Sequence, residues 1–182
     1  MKINIGSGYN IVEGFKNLDK DPQTNPDYLT DVESENLPFE DNSVDAVILS
    51  HILEHLGSGY FHFLKELYRV SKNGTKIYAS FPHHRNDSFF DDPTHVRPIT
   101  VRGLKMLSQK HNKLADEQNA MCTRLARQLE VDFEIVDIAY TPEAGYENEF
   151  SNVSKEEAEK YISQHCNIIS DVNVTMIVIK DD

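Results

Sequence analysis

The 182-residue chain is long enough to bury one core of ordinary size without disulfide staples. With 39% hydrophobic and 26% charged residues, it has the composition of a globular protein in water. Apolar runs such as Ala46 to Leu49 and Met176 to Ile179 are far too short to span a bilayer. A net charge of −12 works against nucleic acid binding. Lys105, Lys110, Lys113, Arg124 and Arg127 alternate with acids and apolar residues on expected helices, where a solvated face explains them. Cys122 and Cys166 lack metal-ligand spacing, and Lys2 begins a strand rather than a leader. The expectation is a cytoplasmic chain folding as one domain over 1–182, with no membrane contact.

In chain order, Lys2 to Ile5 reads as a strand entering a Gly6-Ser7-Gly8 turn, and Phe15 to Leu18 as a second strand ending at Asp19. The stretch Asp21 to Asp45 is rich in Pro, Asp, Asn and Ser, which predicts loops with at most one short strand. The apolar run Val44 to Leu49 predicts a strand covered on both faces. Phe63, Leu64, Leu67 and Val70 form a helical stripe over Tyr60 to Val70, ended by Asn73-Gly74. Lys76 to Phe81 follows as a strand. A helix begins at Thr100, and another is expected over about Asp116 to Leu129. Val131 to Tyr140 reads as a strand. Ser154-Lys155-Glu156-Glu157 has the form of a capping box opening a helix to about His165, and Val172 to Ile179 closes the chain as a strand. Alternating strands and helices followed by two late strands predict an α/β fold. It is Rossmann-like: a mainly parallel sheet, helices on both faces and an antiparallel C-terminal edge pair.

The glycine turn after the first strand lets the backbone approach a ligand closely. A dinucleotide fingerprint needs a third glycine three residues on, and position 11 is isoleucine. The chain reaches Gly14 and a new strand so soon that the helix expected after the turn is shortened or absent. A pyrophosphate needs that helix N-terminus, and a ligand without phosphate does not. Asp19, at the second strand's end, can accept hydrogen bonds from ribose hydroxyls, or it can be a turn aspartate.

Two blocks extend the pattern: Leu37-Pro38-Phe39-Glu40-Asp41-Asn42-Ser43-Val44-Asp45, and Ser50-His51-Ile52-Leu53-Glu54-His55-Leu56. With Phe63 to Gly74, these segments resemble the class I S-adenosylmethionine (SAM)-dependent methyltransferases, in the branch with LPF-x-DNS-x-D and H-x-LEHL blocks. The likeness runs over residues 2 to 100, with Asn73 where a proline is usual. It implies SAM as cofactor. Gly6, Ser7 and Gly8 would pass beneath its methionine part, and Asp19 would hold the ribose. Asp31 would lie near the adenine, Leu37 on the adenine side, and Ser50 and His51 at the fourth strand's end. Glu54 and His55 would cap or buttress the next segment.

Residues 82–98 hold three prolines, three histidines, three aspartates and two arginines after the fifth strand, which makes them a substrate-side loop. Asp-Pro-Thr-His-x-Arg before a Thr-started helix resembles a subset of small methyltransferase-like proteins. His95 or Asp92 offers a base and Arg97 a cation for in-line methyl transfer. The same three residues could instead pin a lid. Asp91, Asp92, His83, His84 and His95 have suitable ligand types but no tight metal spacing, so no metal is expected. The expected function is methyl transfer to an O or N atom of a small or sugar-like acceptor. Two alternatives are a non-catalytic binding or assembly module on the same fold and other SAM chemistry.

Overall fold

The computed structural model describes residues 1–150 and 153–180. A seven-stranded sheet runs through it. Its strands are β1 (Lys2–Ile5), β2 (Lys16–Asp19), β3 (Tyr28–Leu29), β4 (Val44–Ser50), β5 (Ser71–Pro82), β6 (Phe133–Pro142) and β7 (Ile169–Val178). Their spatial order is β3-β2-β1-β4-β5-β7-β6. The pairs from β3 to β5 are parallel, whereas β5–β7 and β6–β7 are antiparallel. The strand order reverses direction at β1, between β2 and β4. That is where open α/β sheets bind ligands, beyond the strands' carboxyl ends.

The helices are α1 (Tyr60–Val70), α2 (Asp87–Asp91), α3 (Val101–Lys105), α4 (Gln109–Glu117), α5 (Leu125–Leu129) and α6 (Lys155–Gln164). The α1 stripe is buried as its spacing predicts, with Phe63, Leu64, Leu67 and Val70 almost inaccessible. They join Ile3, Ile5, Leu18, Val47, Leu49, Ile77 and Phe81 in the main core. Ser154 caps α6 through a complete capping box, as its sequence predicts.

Three expectations change. First, α1 does not end at Asn73-Gly74. It passes into β5 at Ser71, whose hydroxyl donates to Leu67 O at 2.7 Å, and Gly74 sits inside the strand at φ +80°. Second, the helix expected over Asp116 to Leu129 is two helices. Asp116 accepts from both Arg124 (2.6 Å) and Arg127 (2.7 Å), folding the intervening segment back. Third, β4 is fully covered on one face only: Val47 and Leu49 are buried, while Ala46 and Ile48 are half-buried.

No helix separates β1 from β2. A short loop covers that side, and its contacts are polar: buried Asn4 donates to Asn17 Oδ1 (2.9 Å) and Asn10 O (3.0 Å). A hydrogen-bonded asparagine pair thus stands where a helix would place apolar side chains. No helix among the described residues is long and apolar enough to cross a membrane. Of the basic residues on the helices, Lys110 pairs with Glu134 while Arg124 and Arg127 pair with Asp116, which fits a solvated face.

Candidate active site

A cavity of about 560 Å³ opens at the carboxyl ends of β1, β2 and β4. Gly6, Asp19, Asp31 and His51 line it, as does an apolar wall of Leu18, Val32, Ile52, Leu56 and Val96. Gly6 takes φ +65°, and a Cβ there would lie 2.6 Å from Ile52 Cδ1. The left-handed backbone conformation favours glycine there, and any side chain would also have to push Ile52 aside. The Gly8 N–H donates to Asp19 Oδ2 at 2.7 Å, and the Asp21 N–H to Oδ1 at 2.9 Å. These bonds fix the carboxylate at the end of β2, and each oxygen keeps a further lone pair for a ligand.

Asp31 faces the same cavity, its oxygens accepting from Glu33 N (3.1 Å) and Ser34 Oγ (3.0 Å). Four residues expected at the cofactor do not line the cavity. Ser7 is buried beneath it, with an Oγ that has no hydrogen-bond partner. Gly8 acts through Asp19. Ser50 Oγ accepts from Ser80 Oγ (3.3 Å), between β4 and β5. Leu37 is buried with its N–H on Glu66 Oε2 (2.9 Å) and its carbonyl on Arg69 (3.0 Å). The Leu37 to Asp45 block is thus tied to α1: Arg69 also donates to Phe39 O (2.9 Å) and Asp41 (2.7 Å).

His51 takes φ +51°, turning the chain out of β4 so that its ring lines the cavity. Its Nδ1 lies 3.2 Å from Glu54 Oε1, and its Nε2 lies 3.5 Å from Asp171 Oδ1. The close approach of the Glu54 carboxylate raises the imidazole above its ordinary pKa, against the opposing effect of burial.

The fold brings the loop 82–98 against the segment Leu53 to Gly57. Val96 and Arg97 donate their N–H groups to Glu54 O at 2.9 and 3.1 Å. The Arg97 guanidinium lies 4.4 Å from the Tyr60 ring centroid and donates to Leu56 O (3.2 Å) and Gly57 O (3.0 Å). It stacks outside the cavity lining, with the geometry of a clamp. Asp92 Oδ1 accepts from Thr94 N (2.8 Å) and Thr94 Oγ1 (2.6 Å), which holds its carboxyl below the usual range. The His95 side chain is only 8% exposed and its Nε2 lies 3.7 Å from Asp92 Oδ2. Thr94 and Val96, flanking it, reach the cavity.

Sequence reasoning missed Glu33, His55 and Thr94 in this lining. Glu33 Oε1 accepts from Gly57 N (2.6 Å) and Gly59 N (3.2 Å), joining the β3 side of the cavity to the start of α1. His55 had a visible signal in its H-x-x-E-H spacing, since the 3₁₀ turn Leu53–His55 points successive side chains to different sides. His83 and His84 line a separate cavity of about 350 Å³ with Tyr140 and Glu159.

A family model described as a methyltransferase domain matches residues 7–79. Curated proteins give no significant match. Among solved structures, the chain resembles a SAM-dependent methyltransferase from Archaeoglobus fulgidus. The TM-score is 0.66 at 19% identity, covering 97% of this chain and 85% of the other. It also resembles YcgJ from Bacillus subtilis, with TM-score 0.54, 14% identity, and 100% and 92% covered. A third is the [4+2]-cyclase SpnF, with TM-score 0.58, 13% identity, and 99% and 75% covered.

The residues present suit SAM. Gly6, a fixed carboxylate at the β2 end and an apolar wall would suit its methionine, ribose and adenine parts. The chain is thus similar to methyltransferase domains over residues 7–79 and shares its fold with a SAM-dependent methyltransferase of known structure.

Proposed function

We propose that the chain transfers a methyl group to an oxygen or nitrogen atom of a small or sugar-like acceptor, which enters beside residues 82–98. One observation carries this reading: His51, oriented by Glu54, shares a cavity with Gly6 and Asp19. Bound there, SAM supplies an electrophilic methyl group on a sulfonium.

Asp19 accepts the ribose hydroxyls, and Val32, Ile52 and Leu56 take the adenine. Asp31 borders the adenine end. The acceptor meets His51, His55, Thr94 and Val96 at the other edge. Methyl transfer would form the acceptor O–C or N–C bond as the sulfonium S–C bond breaks, releasing S-adenosylhomocysteine and a proton from the acceptor. His51 is better placed to take it than His95 or Asp92. His51 borders the cavity, whereas the His95 ring is enclosed and Asp92 Oδ1 is occupied by Thr94. In this reading Asp92 and Arg97 hold the loop that carries the acceptor edge.

The test is incubation with SAM and a panel of sugars, hydroxy acids and amines, followed by mass spectrometry. A product heavier by one CH₂ is expected, with His51→Gln about 10²-fold slower at unchanged affinity for S-adenosylhomocysteine. SAM consumed without a methylated product favours other SAM chemistry. No cofactor binding at millimolar concentration sinks the reading and favours a binding module.

A further inference from the structure

Glu54 is fully buried, and neither carboxylate oxygen has a hydrogen-bond donor in proper geometry; the nearest basic group is His51 Nδ1 at 3.2 Å. A buried carboxylate so poorly satisfied is costly unless a positive charge compensates it. Two further groups face the same point. One atom each from Glu54, His55 and His95 lies within 4.8 Å of the others. The two imidazoles pack edge to face with ring centroids 4.7 Å apart.

Hydrogen bonding sets the tautomer of both rings. His95 Nδ1 is 2.8 Å from Phe89 O, a pure acceptor, so Nδ1 carries the proton and Nε2 keeps its lone pair. The Thr94 hydroxyl gives its one proton to Asp92 Oδ1 at 2.6 Å. It must therefore accept from His55 Nδ1 at 3.0 Å, which leaves His55 Nε2 free as well. A metal-ligating histidine has this form: one nitrogen donates to an oxygen and the other is bare. The Thr94–Asp92 pair extends that support by one residue. The backbone bonds from Val96 and Arg97 to Glu54 O lock the loop bearing His95 onto the turn bearing Glu54 and His55.

We propose that Glu54, His55 and His95 form a binding site for a divalent first-row transition cation. Two imidazole nitrogens and one carboxylate oxygen suit Zn(II), Fe(II) or Co(II) better than Mg(II) or Ca(II), which prefer all-oxygen sites. His55 and Thr94 line the cavity, so the cation stands at its acceptor edge. Its open positions would take an oxygen or nitrogen donor from an acceptor molecule. The site rests on the side-chain cluster alone and stands apart from the choice of acceptor.

The test uses the full chain, stripped with chelator and free of SAM. It is titrated with Co(II) by visible absorption and with Zn(II) by calorimetry. One equivalent is expected to bind at micromolar affinity or tighter, with the d–d bands of a low-coordinate nitrogen and oxygen site. Glu54→Gln and His55→Asn should each weaken binding at least tenfold, while His84→Gln, at the other histidine pair, leaves it unchanged. If Glu54→Gln fails to fold by circular dichroism, His55→Asn decides. No saturable binding at millimolar metal overturns the proposal, as does binding that survives His55→Asn or is lost in His84→Gln. Cofactor binding is measured separately with S-adenosylhomocysteine on metal-free protein, so a negative metal result leaves the cofactor reading standing.

Discussion

The backbone N–H of Gly8 donates to Oδ2 of Asp19 across 2.7 Å, joining the turn after β1 to the end of β2. One bond therefore both shapes the glycine turn and aims the carboxylate. Asp19→Asn keeps the size of the side chain but gives up charge and one acceptor oxygen. S-adenosylhomocysteine binding is expected to weaken by about tenfold or more, consistent with about 1.5–3 kcal/mol for a hydrogen bond to a charged group. Calorimetry on the folded variant checks this, and unchanged affinity would remove Asp19 from the cofactor site.

Gly59 lies against Glu33. A Cβ at Gly59 would sit 2.3 Å from the Glu33 carbonyl oxygen and 2.5 Å from its Cα, both backbone atoms that cannot swing aside. Gly59→Ala should therefore destabilise the fold by about 2 kcal/mol or more, within the range of overpacking costs. Chemical denaturation measures it. A shift no larger than that of an exposed control substitution would show that the Glu33 segment yields freely.

Arg69 holds the Leu37 to Asp41 segment through two carbonyls and one carboxylate, and it is paired with Glu66 at 2.7 Å. The Glu66 carboxyl is correspondingly lowered, chiefly by its hydrogen bond with Arg69. Arg69→Ala strands two carbonyls and leaves Glu66 with its Leu37 N–H. About 1–3 kcal/mol of stability should be lost. Proteolysis is expected to cut first near residues 35–42 in this variant.

His83 is enclosed beside His84 and Tyr140, and burial, aided by the charges of His84 and Arg85, lowers its pKa to about 4. In the unfolded chain it titrates near its ordinary value of 6.5. Below that pH the unfolded chain takes up the proton first. The stability tied to neutral His83 is therefore complete above about 6.5 and is lost progressively as pH falls toward about 4. His83→Gln should flatten the fall in stability between those pH values relative to the wild type. Parallel denaturation curves across the range would show no difference if the ring is solvated.

The sequence alone determined six of the seven strands in outline, α1 and the capped α6, because each rests on a local rule: period two, period 3.6, or a side chain reaching its own cap; β3 and the early start of β5 at Ser71 were not legible. It also determined the glycine turn with Asp19 after it, since two short strands joined by a tight turn leave little room for another arrangement. The split between α4 and α5 was not legible, because it depends on Asp116 drawing two arginines back from beyond the break. Leu37 opens the Leu-Pro-Phe block, yet only tertiary contacts with Glu66 and Arg69 turn it inward, away from the cavity. The histidines show the limit most clearly. Nothing in spacing links His95 to Glu54 and His55, which lie forty residues away. Two backbone bonds to Glu54 O bring them together, and the bonds at Phe89 O and Thr94 set which nitrogens stay bare. Residue types are written in the chain, but the direction of a lone pair is decided by the partner that packing places on the other side of the ring.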